Sequence, residues 1–502
     1  MQKALVIRVD GSAQIGTGHV MRCLALAQAW QEVGGQATFV MAMKAAALED
    51  RLKSEGMEVV CLSLQSGGPD DAIHTIGLAR AIGASWVVVD GYHFGADYQH
   101  IIKDSGQHLL CIDDNGHAEH YYADIVLNQN VHANEALYAN REPHTRLLLR
   151  TDYVLLRREF LKWRGWRREI PAVAHKVLVT FGGSDFDNVT LKAIRALHQM
   201  AADGLEAVVV VGGSNPYYEE LQSAVHRSPL AIRLERDVTN MPELMAWADV
   251  VLSAGGSTCW ELAFMGLPNL VLILADNQRP IAEQLDAAGV AVNLGWHWTL
   301  SSAEIAQALT ELLMATGVRA EMARCGRELV DGEGTARVLD HLTSEPLRLR
   351  QVSEEDCKLL WEWANDPDVR VVSFSSEPIP WERHVKWFRS KLYDPHCVFY
   401  IATNSDDIPI GQIRYDVEDN KAIVSVSIDR KYRIKGYGSR LIGLASRKLF
   451  DISDIAAIHA YVKPGNEASI GAFVKAGFSK VGTTVFRGHR VIHLVLAKDE
   501  LI

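Results

Sequence analysis

The sequence predicts an α/β protein in which two Rossmann-like halves are followed by a smaller mixed α+β domain. Three observations predict it. At 502 residues the chain is too long for one core and requires two or three domains. Up to about residue 345, short apolar runs alternate with amphipathic stretches, the β-α-β-α rhythm of doubly wound parallel sheets. After His341 that rhythm gives way to a helix, several strands and a Gly-rich turn.

In the first half, residues 1–150, the strand candidates are Ala4–Val9, Ala37–Met41, Glu58–Leu62, Trp86–Asp90 and His108–Asp113. Helical stretches such as His19–Trp30 and Tyr98–Lys103 lie between them. The second half, residues 151–342, opens on a segment rich in Arg and Trp, roughly 152–174, that bridges the halves. Its strand candidates are Lys176–Thr180, Ala207–Val211, Val250–Ser253 and Asn269–Leu274. Two such halves bind a ligand in the cleft at the carboxyl ends of their strands. Thr343-Ser344-Glu345-Pro346 reads as a linker. The third domain, residues 346–502, holds a helix at Glu354–Ala364, strands at Val398–Ala402, Gly411–Tyr415 and Ile423–Ile428, and a helix at Gly438–Phe450.

Composition narrows the function classes. The 48% hydrophobic and 23% charged residues are those of a globular protein. A net charge of −11 disfavours nucleic acid and anionic membrane as partners. The seven cysteines are scattered and never form C-x-x-C, which argues against a disulfide framework or zinc site and for a reducing cytoplasm. The opening MQKALVIRVD reads as a strand rather than a signal peptide. No apolar run approaches the roughly 20 residues needed to span a bilayer.

Two loops carry chemistry. The first runs from Asp429 to Ser439 between strand and helix and contains R-x-x-G-x-G. Its glycines let backbone N–H groups turn toward an anion, and the helix N-terminus adds positive potential there, so a pyrophosphate is a natural occupant. Alone, the motif is equally compatible with an unoccupied Gly-rich turn. A second element follows: Val462-x-Pro464-x-Asn466-x-x-Ser469, then Phe473 and Gly477-Phe478. Together they resemble the GNAT acetyltransferase superfamily over about residues 346–502. Leu360–Pro367, and Trp381-Glu382-x-His384-x-x-Trp387-Phe388, are similar to the branch with amino-sugar and ribosomal-protein N-acetyltransferases. The resemblance implies acetyl-CoA as cosubstrate and transfer to a primary amine. By it, backbone near Ile428 holds the pantetheine and polarises the thioester. Arg433, Ile434, Lys435, Gly436, Tyr437, Gly438 and Ser439 wrap the pyrophosphate, and Asn466 and Ser469 complete the cofactor site. Phe473 stands where many members carry a tyrosine general acid, so the proton donor is open among Ser469, water and solvent. Asp429, Glu377 and a water chain remain alternatives for the base.

The second constellation is Arg8-Val9-Asp10 followed by Ile15-Gly16-Thr17-Gly18-His19-x-x-Arg22-Cys23-Leu24. A strand ends, a Gly-rich loop follows, and His19 falls in the first helical turn, where the helix end favours the neutral ring of a general base. Asp10 is the residue expected to orient that ring. On its own the pattern also fits a histidine that merely satisfies a helix N-terminus. Further loops at strand ends add to it: Asp90-Gly91-Tyr92, Phe181–Asp185, Ser253–Glu261 and Ala275–Gln278. The set resembles the UDP-sugar hydrolases of pseudaminic acid biosynthesis, which are related in fold to GT-B glycosyltransferases, over about residues 1–340.

That resemblance implies a GT-B arrangement of the two halves and hydrolysis of UDP-2,4-diacetamido-2,4,6-trideoxy-β-L-altropyranose to UDP and free sugar. His19 would activate water for inverting attack at C1, with Asp10, Tyr92 and Asn277 in the catalytic set. Gly16, Gly18, Arg22, Gly183, Ser184, Gly256, Ser257, Thr258, Glu261 and Gln278 would bind the UDP-sugar, with Glu261 on the ribose and 256–258 on phosphate. No metal is expected: His108, Asp113, Asp114, His117 and His120 match no ligand spacing. The matching role for the acetyltransferase is N-4 acetylation of the UDP-4-amino-sugar precursor, making the chain a bifunctional enzyme of one pathway. Two alternatives stay open: a GT-B glycosyltransferase fused to an N-acetyltransferase, or one domain inactive and serving as a binding module. Oligomeric state is open.

Overall fold

The computed structural model describes every residue except 1, 2, 13–15, 44, 184, 201–203, 214, 344–346, 405, 501 and 502, and the Glu500 side chain. The linker residues Ser344, Glu345 and Pro346 therefore lie outside the described residues. The chain divides into two compact units, Met1–Thr343 and Ser344–Ile502.

The first unit holds two parallel sheets. Strands β1 (Ala4–Val9), β2 (Gln36–Met41), β3 (Glu58–Cys61), β4 (Ala84–Asp90), β5 (His108–Ile112), β6 (Ile125–Asn128) and β7 (Arg146–Leu149) lie in the order 3-2-1-4-5-6-7. Strands β8 (Lys176–Thr180), β9 (Glu206–Val211), β10 (Ala231–Arg236), β11 (Val250–Ala254), β12 (Asn269–Ile273) and β13 (Ala291–Trp296) lie in the order 10-9-8-11-12-13. Both are Rossmann-like windings. The order reverses between β1 and β4 in one sheet and between β8 and β11 in the other, and loops leaving those strands diverge to opposite sides. The Gly-rich segments at Gly16–Gly18, Gly182–Gly183 and Gly255–Ser257 sit at these switch points.

Burial on both faces explains the near-continuous apolar strands. Along β1, Leu5, Ile7 and Val9 join the core under the helix Gly18–Glu32, while Ala4 and Val6 join the core under Pro69–Ala81. The bridging segment serves both halves: Leu155 packs into the first, and Val154, Leu156 and Phe160 into the second. Buried Arg168 donates to the carbonyls of Gly266, Ala248 and Met245, and burial pushes its guanidinium down to about 10. The helix Gly334–Thr343 returns to the first half, where Val338 and Leu342 enter its core.

The second unit is one mixed sheet. Its strands are β14 (Arg348–Gln351), β15 (Cys397–Thr403), β16 (Pro409–Glu418), β17 (Lys421–Ile428), β18 (Ala457–Val462), β19 (Ser479–Phe486) and β20 (His489–Ala497), ordered 14-15-16-17-18-20-19. Every pairing is antiparallel except β17 with β18. That parallel pairing stops at Ile423–His459, although β17 runs on to Ile428 and β18 to Val462. The two strands splay, and beyond Ile423 one edge of β17 has no strand partner among the described residues. The helices Tyr437–Ile452 and Glu467–Lys475 cover one face of the sheet, and Cys357–Ala364 and Trp381–Leu392 cover the β14–β15 end of the other.

Candidate functional site

In the first unit the strand-end loops of both halves enclose a cavity of about 640 Å³, lined by His19, Arg22 and Tyr92 from one half and by Gly183, Ser257, Glu261 and Asn277 from the other. His19 Nδ1 lies 2.6 Å from Asp90 Oδ1. Arg22 clamps the same carboxylate, with Nε 2.7 Å from Oδ2 and Nη2 2.7 Å from Oδ1. Its other edge grips Asp114 at 2.7 and 3.0 Å. Burial works to raise the Asp90 carboxyl, but Arg22 and His19 override it and hold Asp90 well below the ordinary carboxylate range. Asp90 is thus ionised and accepts, so Nδ1 of His19 is the donor and Nε2 is left to take a proton. Arg22 Nη2 is also 3.1 Å from Nδ1, and it spends its protons on the two carboxylates.

Tyr92 closes the group. Its ring meets His19 edge-on at 5.4 Å, its hydroxyl donates to Asp114 Oδ2 at 3.2 Å, and Asn277 Nδ2 reaches that hydroxyl from the other half at 3.4 Å. Burial and the Asp114 carboxylate push the phenol up, so it stays protonated.

Asp10 does not orient His19. Period-two alternation puts Arg8 and Asp10 on the sheet face under the helix Pro69–Ala81, away from the helix that carries His19. There Asp10 pairs with Arg8 at 2.9 Å, accepts from Ser66 at 2.7 Å and from the backbone of Ala42 and Met43, and lies 3.3 Å from His93. Arg8 in turn grips Asp71 at 2.9 Å. Asp90 follows Val88, whose side chain shares the core of the His19 helix, and the same alternation aims it at the ring. The signal was present in the sequence: a charged residue closing the Val-Val-Val run of β4.

The remaining expected contacts divide. Gly16, Gly18, Gly256, Ser257, Thr258, Glu261 and Gln278 all line the cavity with Gly183 and Arg22. Ser184 lies outside the described residues. Gly18 and Gly183 are small first for the protein's own sake: a Cβ on Gly18 would stand 2.8 Å from Ser257 Oγ, and one on Gly183 2.5 Å from Thr17. Glu261 is bound by Arg157, Nη2 at 2.8 Å and Nε at 3.1 Å, a partner from the bridging segment that sequence reading missed. Burial raises the Glu261 carboxyl despite that guanidinium. Gln278 Oε1 accepts from the Leu274 backbone at 3.1 Å. The acidic and histidine residues near 113 also separate. Asp113 caps its own turn and pairs with His117 at 2.8 Å, while His120 meets Asn140 and Glu142. Among the described residues no cluster of three or more His, Cys, Asp or Glu side chains is placed to hold a metal ion.

In the second unit, Ile428 ends β17 at the splay and the loop Arg433–Ser439 leads into the helix Tyr437–Ile452. Gly436 takes φ +79° at the helix N-cap. The backbone at fully exposed Ile434 is also left-handed, at φ +61°, which is unusual for a β-branched residue. A Cβ on Gly438 would meet only Ala472 and Ile428, at 3.7 and 3.8 Å, so internal packing does not demand glycine there. A backbone cradle that a side chain would fill suits an anionic ligand such as a pyrophosphate. Ser439 Oγ turns back to the Gly436 carbonyl at 3.0 Å, and Lys435 lies over the Tyr432 ring at 5.9 Å. Arg433 is engaged otherwise than expected. Its Nη1 is 3.0 Å from both Asp366 and Asp368, and its Nε donates to the Ile428 carbonyl at 2.9 Å. Asn466 caps the helix Glu467–Lys475 by accepting from the Ser469 backbone at 3.1 Å. Of the expected bases, Asp429 accepts from Trp363 Nε1 at 2.8 Å and caps its own turn, and Glu377 is exposed. Phe473 is buried against Phe478.

Residues 346–479 match the acetyltransferase (GNAT) domain, and residues 177–335 match the glycosyltransferase family 28 C-terminal domain. The chain is a fusion of these two kinds of domain. An uncharacterized protein of Methanocaldococcus jannaschii is 24% identical over 503 residues, covering 95% of this chain and 96% of its own length. The Campylobacter jejuni UDP-2,4-diacetamido-2,4,6-trideoxy-beta-L-altropyranose hydrolase is 25% identical over 292 residues, 57% of this chain and 98% of its own. Among solved structures, MurG of Acinetobacter baumannii aligns with 68% of this chain and 99% of its own, at 17% identity and a TM-score of 0.49. No helix among the described residues is long and apolar enough to cross a membrane.

Proposed function

We propose that the chain is a bifunctional nucleotide-sugar enzyme. The first unit hydrolyses UDP-2,4-diacetamido-2,4,6-trideoxy-β-L-altropyranose to UDP and the free sugar. The second uses acetyl-CoA to acetylate the N-4 amine of the UDP-4-amino-sugar precursor, the preceding step in pseudaminic acid biosynthesis. The observation that carries the hydrolase reading is His19 on the wall of the cavity, paired at 2.6 Å with buried Asp90 behind it. Support also comes from the likeness to the Campylobacter hydrolase and from the Gly-rich cradle of the second unit.

In this reading His19 Nε2 takes a proton from water as the water oxygen attacks C1. The C1–O bond breaks on the opposite face and UDP leaves with its electron pair. Asp90 stabilises the imidazolium that forms and fixes the ring, as the carboxylate of a Ser-His-Asp triad does. Tyr92 and Asn277 position sugar and water. The backbone at 256–258 meets the phosphates, and Glu261, held by Arg157, meets the ribose.

Acetyl-CoA supplies an activated acetyl group. Gly436–Gly438 would hold its pyrophosphate and the free edge of β17 its arm.

The test is incubation of the protein with acetyl-CoA and the 4-amino UDP-sugar, followed by mass spectrometry. A gain of one acetyl group and then release of UDP is expected. His19→Asn should abolish UDP release while UDP binding survives, and retained hydrolysis would remove His19 from the mechanism. The match to a glycosyltransferase domain favours a second reading, transfer to an alcohol. It predicts a glycoside, not the free sugar, when acceptor alcohols are present.

A further inference from the structure

In the acetyltransferase unit Asp429 is engaged by Trp363 and its own turn and Glu377 is exposed, and the unit also holds an unassigned pair of imidazoles. His459 Nδ1 and His493 Nε2 are 2.9 Å apart, with the rings stacked at 15° and 5.2 Å between centroids. Neither ring makes another side-chain hydrogen bond to a described residue. The pair stands at a particular place. His459 is the last residue of β18 paired with β17, at the vertex of the splay, where Ile423 is its partner. Ile458, Ala460 and Val462 point into the core under the helices Tyr437–Ile452 and Glu467–Lys475, so His459 and Tyr461 project from the opposite face. The helices Cys357–Ala364 and Trp381–Leu392 cover the β14–β15 end of that face and reach Arg414 on β16 and Asp429 after β17 through Trp387 and Trp363. At the other end Tyr461 stacks on Phe486 at 4.2 Å and on His493 at 4.8 Å, forming a half-buried wall beside the two histidines.

We infer that His459 is the general base that deprotonates the acceptor amine, and that His493 positions it and carries the proton onward. The inference rests on the acetyltransferase reading of this unit. The ammonium of the acceptor gives one proton to His459 Nε2. The freed lone pair attacks the thioester carbonyl carbon, the C–N bond forms, the C–S bond breaks, and the second N–H proton goes to the departing thiolate. His459 Nδ1–H passes its proton to His493 Nε2, and His493 Nδ1–H releases one to water, so one proton leaves per acetyl transferred. The charged or titratable neighbours acting on His459 are His493 from β20 and Lys421 from β17. Burial first, then these two, draw the His459 ring toward its neutral form, and burial does the same to His493.

The test uses the full chain, acetyl-CoA and the amine, with NMR titration of the imidazoles in parallel. His459→Gln should lower kcat/KM for acetylation about 100-fold at pH 7, abolish the acid limb of the pH profile, and leave coenzyme A affinity unchanged. His493→Gln should cost less and move that limb upward, with the His459 titration midpoint rising as a ring that disfavours its charging is lost. A His459→Gln enzyme that keeps its rate and acid limb while wild type acetylates overturns the inference. So does a His459 midpoint indifferent to His493→Gln. Wild-type protein that transfers no acetyl group to any amine overturns the underlying acetyltransferase reading instead.

Discussion

The two Gly-rich loops that the proposed function rests on are built on opposite plans. Around His19 the chemistry is in side chains, locked by a buried chain of charges from Asp90 through Arg22 to Asp114. Around Gly436 it is in the backbone: two left-handed residues and a bare glycine form the cradle, and Arg433 is turned to Asp366 and Asp368. On the proposed function the first plan would supply a poised proton acceptor and the second a shaped anion site, with proton transfer supplied by other residues of the sheet.

The largest expected effect comes from breaking the side-chain plan at its centre. Asp90→Asn cannot hold the His19 ring in the donor-to-carboxylate tautomer, and kcat for UDP release should fall by about 10³–10⁴. Asp10→Asn is the matched control, an acid at the end of the neighbouring strand but on the other face of the sheet. It leaves Arg8 short of one partner and should cost about 3 kcal/mol of stability, read as a lower Tm, with kcat of the folded enzyme changed less than tenfold. Equal losses in the two variants would restore Asp10 to the catalytic set.

The same carboxylate makes a pH prediction. Because the folded value for Asp90 is depressed, its contribution is fully present above the unfolded value near 4. It is lost only as pH falls through the folded value, below the ordinary range. Tm of the first unit should therefore hold between pH 7 and 4 and drop on further acidification, and Asp90→Asn should flatten that drop. Glu261 has the opposite sign. Its raised folded value means that burial costs stability as pH rises past about 4.5, because the carboxylate is charged in a dry site.

What could be read in advance follows the same division. Both Rossmann-like windings were legible through β1–β5, β8, β9, β11 and β12, because buried parallel strands leave continuous apolar runs and glycines mark their ends, whereas β6, β7, β10 and β13, and in the mostly antiparallel third sheet β14 and β18–β20, were not read. The cavity loops were legible for the same reason. Partnerships were not. His19 and Asp90 are 71 residues apart and Arg157 and Glu261 are 104 apart, and no local pattern couples them. Asp10 was the nearer acid in sequence but the wrong one in space, and counting side chains along β1 and β4 by twos would have separated them. The His459–His493 pair depends on β18 and β20 meeting with Tyr461 opposite His493, a register that no spacing in the sequence announces.

The backbone plan is broken at Gly436. Alanine there must adopt φ +79°, at a cost of roughly 1–2 kcal/mol. The acetyl-CoA Kd from calorimetry should rise about tenfold with UDP release untouched. A change confined to KM of the amine would instead place the cofactor's phosphates away from this loop.

The smallest effect decides whether the backbone plan is complete. If Arg433 only ties the loop to Asp366, Asp368 and the Ile428 carbonyl, then Arg433→Gln removes partly exposed ion pairs that contribute about 0–1 kcal/mol. The acetyl-CoA Kd should then rise less than threefold, and its dependence on salt should stay that of the wild type. If the guanidinium swings to the pyrophosphate on binding, the loss exceeds tenfold and the salt dependence weakens, because a charge that neutralises phosphate has gone. Measured beside Gly436→Ala, the ratio of the two losses separates a site made by backbone from one that borrows a side chain.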